Sequence, residues 1–141
     1  MSTHQSNLLH QRCPCGSLHT YQRCCYPYIA GVTAPATAQQ LMRSRYTAYT
    51  QANIEYIQAT MRGPAAQHYD PTTALQWAKT VKWRKLKILK DFPHVSDKNC
   101  AYVEFVAFYF AEGRLQQLRE TSEFKRIEGK WFYTNQASPK D

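Results

Sequence analysis

Thirteen residues near the start of the chain, CPCGSLHTYQRCC from Cys13 to Cys25, hold four of its five cysteines. The segment before them, MSTHQSNLLHQR, lacks the apolar run of a secretory signal. The longest apolar run, Phe105 to Ala111, is too short to span a bilayer. The expected location is therefore the cytoplasm, away from membrane. Thiols stay reduced there, and clustered cysteines are more often metal ligands than disulfides. The odd count also argues against a disulfide framework.

The spacing is C-x-C-x8-C-C, from Cys13, Cys15, Cys24 and Cys25. Zinc favours four thiolates in a tetrahedron, and two close pairs joined by a compact loop can supply it. Gly16 permits a tight turn after the first pair, and residues 16–23 return the chain to the second. Four thiolates on one divalent ion leave a charge of about −2, which Arg12, Arg23 and His19 are placed to offset. The rival readings fit less well. A redox dithiol calls for C-x-x-C beside a βαβ unit, and iron–sulfur sites use other spacings. Inert buried thiols need an apolar face, which this polar stretch lacks. The expectation is one structural zinc with no open coordination position.

The 141 residues are enough to bury a core without staples. Two domains are expected: a zinc knuckle over 1–30 and an α+β domain over 31–141. Residues 37–61 read as helical, with Leu41, Met42, Tyr46 and Tyr49 on one face. Thr37 caps the start, Asn53 caps a second piece after a break near Ala52, and Gly63 and Pro64 end it. Asp70 and Pro71 open a short helix to about residue 80. From Val81 the period changes to two, with a bulge near Lys85. Glu112–Gly113 and Glu128–Gly129 are hairpin turns between strand-like runs. Helices followed by a four-stranded antiparallel meander make an α+β fold.

The net charge is +8 with a pI near 9.4, which implies an anionic partner where the charge is clustered. KTVKWRKLKILK packs six positive charges into twelve residues. Lys82, Arg84 and Lys87 would project from one face, away from Trp83, Leu86 and Ile88. Such a ribbon can hold phosphates, or it can be a plain solvated face. A second candidate site is a pocket formed by Arg43, Arg45 and Tyr46 of the long helix with Glu104, Glu120 and Ser122 of the sheet. It reads either as a ligand pocket or as a buried ion pair that fixes the helix on the sheet, with Glu104 paired to Arg43 or Arg45. No Ser-His-Asp signature, phosphate loop or His-Glu metal motif is present, and Cys100 reads as a small buried residue.

The cysteine stretch resembles the SEC-C motif, the zinc-binding module found also at the C-terminus of the translocation ATPase SecA. LMRSRYTAYTQANIEYI, VKWRKLKIL, VEFVAFYF, LRETSEF and GKWFYT, in that order, resemble the YchJ family of bacterial proteins. The likeness runs over residues 12–134. It implies a nuclear-transport-factor-like, cystatin-like cone, in which the sheet curls round the helices and leaves a pocket. Some members carry a second SEC-C motif at the C-terminus, whereas this chain ends in NQASPKD with no further cysteine. The resemblance carries no activity over. Through SecA, where the module contributes to contacts with the chaperone SecB and with ribosomes, it implies a protein or ribosomal partner. Two hypotheses follow: a binding module built on knuckle and basic surface, or a cone-fold enzyme or small-molecule binder with the knuckle as accessory.

Overall fold

The computed structural model describes residues 8–137; residues 1–7 of the polar N-terminal stretch and 138–141 of the NQASPKD end lie outside the described residues. The cysteine segment holds a 3-10 turn, Tyr21–Arg23, and a one-turn helix α1, Tyr26–Ile29. Four helices follow: α2 (Ala38–Thr50), α3 (Ile54–Ala59), α4 (Gly63–Gln67) and α5 (Pro71–Thr80). Then come β1 (Lys82–Pro93), β2 (Cys100–Ala111), β3 (Arg114–Ile127) and β4 (Lys130–Gln136), hydrogen-bonded antiparallel in sequence order. Among the described residues no helix is long and apolar enough to cross a membrane.

The helix ends follow side-chain chemistry. The Thr37 hydroxyl accepts from the Gln40 amide at 3.1 Å, and Asn53 Oδ1 accepts from the Tyr56 amide at 3.0 Å. Ala52, at φ 53°, turns the chain between α2 and α3. The Asp70 carboxylate accepts from the Thr72 amide at 3.0 Å and opens α5. Gly63 and Pro64 behave otherwise than the sequence suggested. Here α3 has already stopped at Ala59, and Pro64 opens α4, where its missing N–H costs no helical bond.

Both hairpins turn on two residues with positive φ, Glu112 (55°) with Gly113 (75°) and Glu128 (52°) with Gly129 (81°). This geometry matches the right-handed twist of the flanking strands. The register of β1 slips between Trp83 and Lys85, near the expected bulge, and again between Ile88 and Lys90.

The inner sheet face packs under α2. Leu41, Met42 and Tyr46 meet Leu86, Val103, Phe105, Ala107 and Phe124 in one buried cluster. A fully buried Leu41, Val103 or Phe124 contributes about 1.5–3 kcal/mol each. The same cluster contains Cys13, Cys15, Tyr21 and Cys25, so the cysteine segment shares a core with the α+β part. Gly16, at φ +88°, lies against β1, and a Cβ there would stand 3.3 Å from the Leu86 carbonyl oxygen. Backbone conformation and lack of space both demand glycine at this point.

Candidate metal centre and the inner-face cavity

A small backbone clasp builds the cysteine loop. The Cys13 amide donates to the His19 carbonyl at 3.0 Å, and the Tyr21 amide donates to the Gln11 carbonyl at 2.8 Å. The Gly16 amide closes the turn onto the Cys13 carbonyl at 3.1 Å. The second pair follows where the 3-10 turn meets α1, so neighbouring Cys24 and Cys25 point to one centre. The four sulfurs lie within 4.8 Å of one another, and Cys15 and Cys24 are 3.6 Å apart. Thiolates about 2.3 Å from one tetrahedral ion have edges of about 3.8 Å, so the donor set fits a single metal ion. Cys13, Cys15 and Cys25 are buried and Cys24 partly so, which leaves little room for a substrate at the ion.

The thiols of Cys15, Cys24 and Cys25 influence one another. Hydrogen bonds from the Cys13 and Cys25 thiols hold Cys15 far below the ordinary thiol range, and the first negative charge sits there. Burial, with the charge at Cys15 behind it, pushes Cys24 up to about 12. Donation to Cys13 and Cys15, and then burial, raises Cys25 as well. Without metal the site therefore favours a thiolate at Cys15 and resists charge at Cys24 and Cys25; a divalent cation reverses that balance.

Two α2 side chains four residues apart face this centre. Arg43 Nη1 donates to the Cys15 carbonyl at 2.9 Å and lies 3.7 Å from its sulfur. The Thr47 hydroxyl donates to Cys25 Sγ at 3.3 Å and lies 3.7 Å from Cys13 Sγ. Ser17 Oγ is 3.0 Å from Cys24 Sγ. Sequence reasoning set Arg43 in the pocket and missed Thr47. The signal was their i, i+4 spacing, which speaks only once the loop is known to dock on α2.

On the inner face, Arg45, Tyr46, Glu120 and Ser122 do come together, around a cavity of about 140 Å³. Arg45 Nη1 donates to the Ile57 carbonyl at 2.8 Å and to Thr60 Oγ1 at 2.6 Å, and its guanidinium lies 4.9 Å from the Tyr133 ring centre. The Tyr133 and Ser122 hydroxyls donate to Glu120 Oε2 at 3.2 and 2.7 Å. Burial pushes the Tyr46 phenol up to about 12 and raises Tyr133, beside Glu120, further. Arg43 lies elsewhere, because two residues along a helix is more than half a turn. Glu104 also lies elsewhere. Its neighbour Phe105 faces the core, so Glu104 projects from the outer face and pairs with Arg119 at 2.7 Å.

On that outer face Lys82, Lys85, Lys87 and Lys90 stand opposite Phe110, Phe108, Val106 and Glu104 of β2. Lys82, Arg84 and Lys87 are all exposed, and Arg84 stacks over Phe110 at 5.4 Å.

Comparison with known proteins agrees with this architecture. Residues 37–136 match the model of the YchJ middle NTF2-like domain, and residues 11–27 match the SEC-C motif. A UPF0225 protein of Actinobacillus succinogenes is 43% identical over 124 residues, 87% of this chain and 79% of its own. A second, from Geobacter sulfurreducens, is 36% identical over 87% of this chain and 76% of its own. The solution structure of a SEC-C motif containing protein from Rhodopseudomonas palustris superposes with TM-score 0.80 at 29% identity, covering 89% of this chain and 97% of that one. A crystal structure of a SEC-C motif containing protein from Psychrobacter arcticus gives TM-score 0.81 at 28% identity, over 92% of this chain and 83% of that one. The chain belongs to the YchJ family, whose curated members are named UPF0225 proteins: an NTF2-like domain that carries a SEC-C motif with a cysteine cluster fit to bind a metal.

Proposed function

We propose that this protein is a zinc-stabilised binding module that contacts single-stranded RNA, such as the ribosome exposes. Zinc is the ion that suits four thiolates in a closed tetrahedron, and its role here is structural. The sulfurs, within 4.8 Å of one another, suit one ion and are too close to span a cluster of several irons. The observation that carries the reading is the seat of the cysteine loop on β1. Gly16 meets the backbone of Leu86, and Lys85 and Lys87 flank that residue on the outer face. Knuckle and basic ribbon are thus adjacent, with Phe108 and Phe110 beside the lysines. Cations that track phosphates, next to aromatic rings that stack bases, are the general means of holding single strands.

The test is the salt dependence of binding to a single-stranded RNA oligomer. Each phosphate contact contributes about −0.7 to the slope of log K against log salt. Changing Lys82, Arg84 and Lys87 together to Gln should flatten the slope by about two units and leave folding intact. An unchanged slope and affinity would return the ribbon to a solvated face. Binding to a ribosomal protein but not to RNA would also refute the proposal.

A further inference from the structure

The inner-face cavity has an apolar end and a polar end. Trp77 and Trp83 meet edge to face at 4.9 Å between ring centres and make up the apolar end with Tyr46 and Tyr49. The polar end holds Arg45, Tyr133, Glu120 and Ser122. Its hydrogen bonding is incomplete among the described residues. Arg45 is 5% exposed and forms no ion pair; only its Nη1 is engaged, so Nε and Nη2 keep free N–H groups. Glu120 accepts both its bonds through Oε2, which leaves Oε1 free. Trp83 Nε1 is buried without a partner. Buried polar groups are nearly always paired, and among the described residues Trp83 Nε1 is the fully buried atom of this lining that is not; with the unengaged N–H groups of Arg45 and Oε1 of Glu120 beside the same void, it calls for an occupant.

Charge selects among occupants. A quaternary ammonium would suit the aromatic end and Glu120, but a buried guanidinium opposes a second cation. A simple anion would suit Arg45, but it would meet Glu120 and an otherwise apolar wall. Arg45 and Glu120 sum to zero, so an uncharged ligand disturbs neither. The size suits one ring with substituents, since a cavity of about 150 Å³ holds benzene. We propose that this cavity binds a planar, uncharged heteroaromatic ring whose edge carries carbonyl acceptors and an N–H donor, the chemistry of a pyrimidine base. The carbonyls accept from Trp83 Nε1 and the free N–H groups of Arg45, the ring N–H donates to Glu120 Oε1, and the ring face packs on Trp77.

Uracil, tetramethylammonium and benzoate are suitable probes, titrated into the zinc-loaded full chain by two-dimensional NMR. Uracil should saturate below about 10 mM, the affinity expected of so small a ring, and should shift resonances of Trp83 and Ser122. Glu120→Gln and Trp83→Phe should each weaken it about tenfold, the usual worth of a hydrogen bond to a buried group. Arg45 also ties α2 to α3, so its replacement risks the fold. Leu118→Trp is the safer block, because Leu118 is 38% exposed at the cavity. It should abolish uracil binding without changing the unfolding midpoint. Preference for tetramethylammonium or benzoate would overturn the proposal. So would no saturable uracil binding, or binding that survives Leu118→Trp. None of these outcomes bears on RNA binding by the outer face, which Leu118→Trp should leave as it is.

Discussion

Arg43 grips the metal loop by its backbone: its guanidinium donates to the Cys15 carbonyl at 2.9 Å and stands 3.7 Å from the Cys15 sulfur. It fixes the first cysteine pair in place and sets a positive charge beside a site that carries about −2 when zinc is bound. Groups of this kind behind metal ligands are worth about 10–100-fold in affinity. Arg43→Met should lower zinc affinity by that factor in competition with a chromogenic chelator. Arg43→Lys should recover part of it, by charge without the two-pronged reach. Equal affinity in all three proteins would make Arg43 a bystander.

Fresh protein should carry one zinc per chain by native mass spectrometry. Because the cysteines share a core with Leu41, Met42, Tyr46 and Leu86, metal loss should be felt beyond the loop. Binding at structural zinc sites is worth on the order of 10 kcal/mol in small peptides. Chelation should lower the midpoint of the whole chain's thermal unfolding by about 10 °C or more, at a few degrees per kcal/mol. Far-ultraviolet circular dichroism and tryptophan fluorescence should change together. Melting of the loop alone, with the sheet's NMR signals untouched, would contradict the shared core.

The metal-free site also fixes a proton count. Cys24, at about 12, and Cys25, also raised, hold their protons at neutral pH. Zinc must displace both, so titration calorimetry at pH 7 in buffers of different ionisation heat should show at least two protons released per ion. Without metal, the raised thiols set the sign above the ordinary thiol range, where Cys15 is ionised in folded and unfolded chains alike. Their contribution to stability is full below the ordinary thiol value of about 9 and is lost as pH climbs towards about 12. With metal the dependence reverses, because acid drives protons onto the ligands and expels zinc. Release of fewer than two protons would refute the assignment.

Glu112 and Glu128 hold left-handed backbone, φ 55° and 52°, at the first position of their turns. That conformation costs a residue with a Cβ roughly 1–2 kcal/mol, and asparagine tolerates it better. Glu128→Asn should therefore stabilise the protein by about 0.5–1 kcal/mol in urea unfolding with an unchanged m value. A destabilised variant would mean that the turn is not of this type.

Gly16→Ala should go the other way. It adds a Cβ 3.3 Å from the Leu86 carbonyl oxygen at φ +88°, a strain of about 1–3 kcal/mol. Urea unfolding of the zinc-loaded variant measures it, and no loss of stability would show that the loop lifts freely from β1.

Local features were legible in the sequence and distant ones were not. The caps at Thr37, Asn53 and Asp70 and both glycine turns are set within a few residues, and chain order alone yields the meander. The face of β2 was hidden, because CAYVEFVAFYFA is apolar on both sides. Only the pairing of Phe105 with Glu120 and of Lys87 with Val106 shows which side meets the helices. Glu104 was misplaced for that reason. Arg43 and Arg45 look interchangeable in RSRY, yet helical rotation sends one to the metal loop and the other to the cavity. The seat of Gly16 on Leu86 spans seventy positions and leaves no local trace.

That seat bears on how separate copies of the protein stay apart. β1 is an edge strand, and an unguarded edge offers unpaired amides and carbonyls to any other strand. At the opposite edge the backbone of residues 60–62 already bonds Tyr133 of β4: the Tyr133 amide donates to Thr60 at 2.9 Å and the Arg62 amide to Tyr133 at 3.0 Å. The cysteine loop covers β1 by close packing instead, with Gly16 against the Leu86 carbonyl at mid-strand. Were that loop to lift on loss of its ion, the edge would lie beside the single row of lysines on the outer face, Lys82, Lys85, Lys87 and Lys90. Their mutual repulsion is then the remaining barrier to strand-by-strand self-association, and it weakens as salt rises.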